Sequence, residues 1–339
     1  MSYKKHESSD SDCDAKPAET QTQRAEIIGY SDNVSLGEFV CAIGVFDGLH
    51  IGHRYIIGQA VKQARSRALR SIVLTFDHDP DEFFLDASIR RKLVSNADRI
   101  AFLARSGVDA VLVLPFNADL ALLSPDDFLD EVIAKHGAPR GIHVGANFRF
   151  GAKAAGTVDH LRAWGESHDC EVHAHILRAS DKLPISSTRI RDCVQSGNIE
   201  QANRLLARPH YARATVVAGR GVGHDLGVPT ANLELDEMLV RPADGVYFGV
   251  FAVDGGLYKA AISVGVPSTF AGTSSTIEAH LLDFDGDLYG RRIQLFFCEF
   301  LRPMQTFESV DELVAAVDYN IEQVRGGKIP ENLSAFIEI

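Results

Sequence analysis

The 339-residue chain is long enough for two cores of ordinary domain size, and its 45% hydrophobic and 24% charged residues are those of a globular protein. A formal net charge of -12 argues against a nucleic-acid groove, and no apolar run reaches the length of a membrane span. Five scattered cysteines (Cys13, Cys41, Cys170, Cys193, Cys298) with no Cys-x-x-Cys pair argue against a zinc site or disulfide framework; with no signal-peptide core they fit a cytoplasmic chain.

Residues 1–25 are polar, without apolar patterning, and read as a disordered tail. From 26 to 207 strand and helix patterns alternate. Residues 39–46 predict a buried strand. Residues 54–68 predict a helix with Ile57, Ala60, Val61, Ala64 and Ala68 on one face. Residues 71–76 predict a strand, 98–106 a helix stopped by Gly107, and 109–116 a strand. Ser124 reads as the cap of a helix reaching about His136, with Pro125 in its first position. Two more strands, 141–145 and 170–177, and a short helix at 198–206 complete this half. The rhythm predicts a doubly wound parallel sheet, with ligands bound beyond the carboxyl ends of its strands.

Arg208-Pro209 breaks the pattern, so residues 208–339 form the second expected domain. Strands are predicted at 212–218, 246–253, 257–264, 276–284 and 293–301, with Asp254-Gly255-Gly256 a hairpin signal. Ser309 caps a last helix whose apolar face is Val310, Leu313, Val314, Val317, Ile321 and Val324. These elements predict a small antiparallel β-barrel with a terminal helix.

Two motifs of the first half carry chemistry. Gly44-Val45-Phe46-Asp47-Gly48-Leu49-His50-Ile51-Gly52-His53 sits where a strand hands over to a helix, a natural site for phosphate. Ser186-Ser187-Thr188-Arg189-Ile190-Arg191 puts hydroxyls and arginines at a helix start, which also suits phosphate oxygens. In the second half, Gly219-Arg220-Gly221-Val222-Gly223-His224-Asp225-Leu226-Gly227 is a glycine arch whose amides can cradle phosphate. Thr230 and Asn232 in the following Pro-Thr-Ala-Asn offer uncharged oxygens that suit Mg²⁺. In Ile277-Glu278-Ala279-His280-Leu281, alternation puts Glu278 and His280 on one face.

The first motif resembles the signature of HxGH-type nucleotidyltransferases, in the version found in bacterial bifunctional riboflavin kinase/FAD synthetases. The Ser-Ser-Thr-x-Ile-Arg segment, the glycine arch with Pro-Thr-Ala-Asn, and the Glu278 strand resemble further signatures of that family, in order, over about residues 26–325. The resemblance implies an N-terminal domain that makes FAD from FMN and ATP, and a C-terminal domain that makes FMN from riboflavin and ATP. It implies that His50 and His53 stabilise adenylyl transfer and that Gly44, Phe46, Asp47 and Gly52 line the ATP site. Ser187, Thr188 and Arg191 would hold the β- and γ-phosphates. Gly145-Ala146-Asn147-Phe148 resembles the family's flavin segment, with Asn147 where Asp is usual, so Asn147 and Phe148 are expected at the flavin. In the kinase it implies ATP on Gly221, Gly223, Gly227, Thr230 and Asn232, with Mg²⁺ on the last two. Glu278 would be the base for the ribityl hydroxyl, and Arg302 would reach the flavin. No nucleic acid or membrane partner is expected.

Departures from the family pattern stand at Asn147, His78-Asp79, His224 and Ser268. Those at Asn147 and His78-Asp79 leave open a riboflavin kinase with an impaired first domain. A non-catalytic flavin-binding regulator and an adenylyltransferase for another phosphate acceptor are further alternatives.

Overall fold

The apolar runs of the first half become a six-stranded, all-parallel sheet in the order β1-β4-β3-β2-β5-β6. The computed structural model describes residues 24–32, 34–84, 91–176, 179–181, 183–219, 228–265 and 276–337. The strands are β1 (Glu26–Gly29), β2 (Gly37–Ile43), β3 (Arg70–Phe76), β4 (Ala110–Leu114), β5 (Gly137–Gly145) and β6 (Glu171–His175). The helices between them are α1 (Ile51–Ser66), α2 (Pro80–Phe84), α3 (Asn96–Ala104), α4 (Ala118–Leu122), α5 (Pro125–Asp127) and α6 (Val158–Ser167). A hairpin of β7 (Ala179–Ser180) and β8 (Leu183–Pro184) leads into α7 (Ser187–Gln195) and α8 (Ile199–Leu206).

Several boundaries move from where patterning puts them. The first buried strand stops at Ile43, because Phe46, Gly48 and Leu49 take positive φ and cannot extend it. Helix α1 begins earlier than expected, at Ile51, and ends before Ala68, which lies exposed with φ 52°. Ser124 does cap α5, its oxygen accepting from Asp127 N–H, but the chain then winds as a π-helix (Phe128–Ile133) and a 3₁₀ turn (Ala134–His136). Strand β1 and helix α6 were not foreseen: the first is only four residues long, and the second is ten residues with its buried positions at Val158, Leu161, Trp164 and Gly165.

The second half is a closed antiparallel barrel in the order β10-β13-β12-β11-β14-β9. Its strands are β9 (His210–Val217), β10 (Ala231–Leu235), β11 (Gly245–Val253), β12 (Gly256–Gly265), β13 (Thr276–Leu281) and β14 (Arg292–Arg302). Asp254 and Gly255, at φ 50° and 74°, make the two-residue turn of the β11–β12 hairpin. Helix α9 (Val310–Gly326) is capped by Ser309, with Asn320 and Val324 buried; Val310 is exposed rather than part of the packed face. A 3₁₀ segment, Glu331–Phe336, follows.

The two halves share their apolar clusters. One joins Val94 and Phe102 to Tyr211, Phe248, Val324 and Leu333; another joins Leu93, Ile190 and Leu206 to Tyr247 and Phe251. Backbone bonds tie Lys92 N–H to Met238 O and Val240 N–H to Lys92 O, both at 2.7 Å, and Arg213 pairs with Asp98 at 2.8 Å.

Candidate active sites

The sheet order reverses between β2 and β5, the switch point where doubly wound folds bind ligands. Ala42 pairs with His143 there, so the chain leaving β2 at Gly44 runs beside the Gly145–Phe148 segment leaving β5. The turn after β2 holds a backbone that few residues tolerate: Phe46 at φ 60°, Gly48 at 74° and Leu49 at 44°. The two non-glycine residues each carry a penalty of about 1–2 kcal/mol. Side chains from all around hold it in place. Val45 O accepts from Arg99 Nη1 at 3.0 Å and Thr75 Oγ1 at 3.3 Å. Asp47 O accepts from Ser187 Oγ at 3.0 Å, Gly48 O from Arg208 Nη2 at 3.1 Å, and Leu49 O from Arg54 Nε at 3.1 Å. Hydrogen bonds to charged groups contribute about 1.5–3 kcal/mol each, so the bracing outweighs the strain.

The turn delivers two histidines. His50 caps α1, its Nδ1 accepting from His53 N–H at 3.3 Å, and the rings stack at 3.5 Å. Accepting at Nδ1 puts the neutral ring's proton on Nε2. A Cβ at Gly52 would meet the His50 ring at 3.0 Å, so that ring would have to give by a few tenths of an ångström. Phe46 folds back over Gly44 and meets His53 edge-on at 5.3 Å. Burial pushes the His50 pKa down to about 4, and burial with His50 beside it pushes His53 well below its ordinary value. At neutral pH both rings are uncharged donors at a helix N-terminus.

Asp47 joins the two phosphate-type motifs. Its buried carboxylate accepts Leu93 N–H at 3.1 Å and Arg191 Nη2 at 2.7 Å. Ser187 and Thr188 occupy the first turn of α7, where amides lack helical partners, and Ser186 is the cap, accepting from Arg189 N–H. Arg189 turns the other way, to the carbonyls of Ser180 and Leu183. Asn147 is exposed at the end of β5, and Phe148 stacks on Phe150 at 5.6 Å. Gly44, Phe46, Asp47, His50, Gly52, His53, Ser187, Thr188 and Arg191 are thus gathered at the carboxyl end of β2, with Asn147 and Phe148 at the end of the neighbouring strand β5.

On the barrel, Leu233 and Ile277 point inward, so Asn232 and Glu278 lie on the outer face. They are direct partners across β10 and β13, which brings their side chains within reach of each other. His280, one repeat along, bonds Pro229 O at 2.8 Å and anchors the entry to Thr230. Arg302 shares this register row through Ser263 and Val246, but three strands from Glu278, about 14 Å at ~4.8 Å per strand. Its guanidinium is engaged with Asn320 Oδ1 at 2.9 Å and Pro303 O at 3.2 Å, tying β14 to α9. Gly221, Gly223, His224, Gly227 and Ser268 lie outside the described residues.

Residues 33–189 match the family model described as FAD synthetase, and residues 206–326 the one described as riboflavin kinase. A bifunctional riboflavin kinase/FMN adenylyltransferase from Pseudomonas fluorescens is 34% identical over 292 residues, 86% of this chain and 93% of that protein. The chain belongs to the bifunctional riboflavin kinase/FMN adenylyltransferase family. The Escherichia coli K12 member is 33% identical over 279 residues, 82% of this chain and 89% of that one. A crystal structure of a protein described as a macrolide-efflux protein from Streptococcus pneumoniae is 31% identical, with a TM-score of 0.79 over 89% of this chain and 99% of that chain. No described helix here is long and apolar enough to cross a membrane. This family member is an enzyme with a FAD synthetase half and a riboflavin kinase half, whose substrates are riboflavin, FMN and ATP.

Sequence reasoning missed the groups that shape this enzyme's strained turn. Arg99 is buried and bonds Val45 O, Thr75 Oγ1 and Phe76 O at 3.0, 2.7 and 2.6 Å. Its place in a helix at positions 96–104 reads as an ordinary solvated arginine. Arg54 carried a faint signal, because it follows His53 and shares a helical face with His50. Arg208 carried none: it looked like a boundary residue.

Proposed function

We propose that the turn at Gly44–His53 and the start of α7 form the adenylyltransferase site, and that Thr230, Asn232 and Glu278 form the kinase site. What supports the first is Asp47, whose carboxylate and carbonyl bond Arg191 and Ser187 and so hold two distant motifs against one another. A phosphate oxygen of FMN attacks the α-phosphorus of ATP; the new P–O bond forms as the bond to pyrophosphate breaks. No covalent protein intermediate is required, so positioning and charge stabilisation carry the rate. His50 and His53 donate hydrogen bonds to the phosphoryl oxygens. Gly44, Phe46 and Gly52 shape the approach, Ser187, Thr188 and Arg191 hold the β- and γ-phosphates, and Asn147 and Phe148 face the flavin.

In the kinase half, Glu278 takes the proton of the ribityl hydroxyl as that oxygen attacks the γ-phosphorus and ADP departs. Thr230 and Asn232 present neutral oxygens beside a carboxylate, a donor set that fits Mg²⁺, with ATP on the same residues. When bound, Mg²⁺ neutralises charge on the phosphates. Gly221, Gly223 and Gly227 complete the ATP contacts, and Arg302 serves the far end of the flavin. We place the domain boundary at 207/208 and the enzyme in the cytoplasm.

The test uses the full chain with riboflavin, ATP and Mg²⁺, resolving products by chromatography. Wild type makes FMN and then FAD. Glu278→Gln lowers FMN formation at least ~100-fold while FAD still forms from supplied FMN; His53→Ala lowers FAD formation at least ~100-fold and stops at FMN. FMN formation that survives Glu278→Gln, or FAD formation that survives His53→Ala, defeats the corresponding assignment.

A further inference from the structure

The strained turn of the adenylyltransferase site is braced by a residue that precedes the barrel. Arg208 lies between α8 and β9, only 2% exposed. Nη2 donates to Gly48 O at 3.1 Å and Nη1 to its own neighbour, Pro209 O, at 2.9 Å. Its guanidinium lies over two aromatic rings, Phe102 of α3 at 5.1 Å and Phe336 at 5.5 Å, where a cation is favoured by the ring faces.

Phe336 belongs to the last 3₁₀ segment among the described residues, beyond the kinase barrel. Its ring also lies under Arg54 at 5.6 Å and meets Phe102 edge-on at 5.3 Å. That segment is held by bonds to both halves. Gln294 of the barrel donates to Phe336 O at 3.2 Å, Arg105 of the sheet half donates to Ile337 O at 3.3 Å, and Asn332 donates to Ala207 O at 3.0 Å. Arg54 in turn holds Leu49 O, the residue before His50. The carbonyls of Gly48 and Leu49 are therefore gripped by two arginines under one phenylalanine from the carboxy-terminal segment.

We propose that Arg208, roofed by Phe336, is a positioning residue for adenylyl transfer: it holds the Gly48 carbonyl so that the left-handed turn delivers His50 and His53 as a stacked pair. The carboxy-terminal segment that follows the kinase barrel thereby sets the geometry of the other active site. This inference rests on the reading of Gly44–His53 as the adenylyltransferase site. Misplacing groups that act mainly in the transition state lowers kcat more than it raises KM.

The experiment measures, in the full chain, kcat and KM for ATP in FMN adenylylation, kcat for riboflavin phosphorylation, and Tm. Arg208→Met should lower the adenylylation kcat about 10-fold or more with KM for ATP changed less than about 3-fold, and leave riboflavin phosphorylation within about 2-fold. Arg208→Lys, which keeps the charge but not the two-pronged fork, should fall between Arg208→Met and wild type. Phe336→Ala should lower adenylylation in the same direction by about 3-fold or more, and Phe336→Leu by less. Adenylylation kcat within 2-fold of wild type in folded Arg208→Met overturns the proposal, as does an equal loss of both activities. Should Arg208→Met not fold, Phe336→Ala decides: an unchanged adenylylation kcat is then the overturning result. His53→Ala separates the two readings. If it too leaves FAD formation intact, the site assignment has failed; if it abolishes FAD formation while Arg208→Met does not, the brace alone has failed.

Discussion

The two proposed active sites are assembled in opposite ways. The proposed kinase pair, Asn232 and Glu278, lies on adjacent strands, and the ladder register alone sets them side by side. The proposed adenylyltransferase pair, His50 and His53, stands at the end of a turn with three positive-φ residues, and that turn keeps its shape through side chains from α3, α7, α1 and the segment before the barrel. A site built on a ladder inherits the rigidity of the sheet. A site built on a strained turn depends on remote groups, and damage to any of them reaches the chemistry.

The comparison breaks most sharply at Asp47. Asp47→Asn removes the carboxylate charge that Arg191 faces in a nearly dry setting and weakens the joint between the two phosphate motifs. FAD formation should fall about 100-fold and stability by roughly 3 kcal/mol, while FMN formation in the protein that remains folded keeps its kcat. Steady-state assays of each half-reaction, together with urea titration, check this; equal loss in both half-reactions would contradict it. The ladder site has its own weak point at Gly219. A Cβ there would stand 1.8 Å from Asn232 Nδ2, so Gly219→Ala must displace that side chain. Riboflavin phosphorylation is expected to drop about 10-fold with FAD formation from FMN untouched; unchanged FMN production would mean that Asn232 tolerates the shift.

The buried junction between the halves makes stability pH-dependent. His210 is fully enclosed and stacked against Phe297, and burial, then the nearby Arg208 charge, pushes its pKa down to about 3 from an ordinary 6.5. The folded pKa is depressed, so the unfolded chain takes up the proton first as pH falls. The stabilisation is complete above pH 6.5 and is lost progressively toward pH 3. At pH 5 the loss from this residue is about 2 kcal/mol. His210→Leu should flatten the acid limb of the stability curve by that amount, measured by urea unfolding at pH 7.5 and 5; parallel curves for variant and wild type would rule it out. The smallest effect is expected at Asn147. Its side chain is exposed, so Asn147→Asp should change FAD formation by no more than about 3-fold. A larger gain would show that the missing carboxylate limits this enzyme.

Much of the molecule was legible because its signals are local. Apolar runs broken by turns mark the sheet strands, Asp254-Gly255 marks a hairpin, and Ser124 and Ser309 mark helix starts, each through bonds between near neighbours. Alternation alone put Glu278 and Ile277 on opposite faces of their strand, since the side-chain period of a strand is two; that Ile277 faces the core was decided by packing. What stayed hidden depends on contacts between residues far apart in the chain. That Asp47 joins Arg191, that Arg99 and Arg208 hold the carbonyls around Gly48, and that Phe336 returns to roof a site begun nearly 300 positions earlier are decided by packing. Local pattern reports which face of an element is apolar; it does not report which distant cation will meet a carbonyl that a strained turn leaves without a partner in its own backbone.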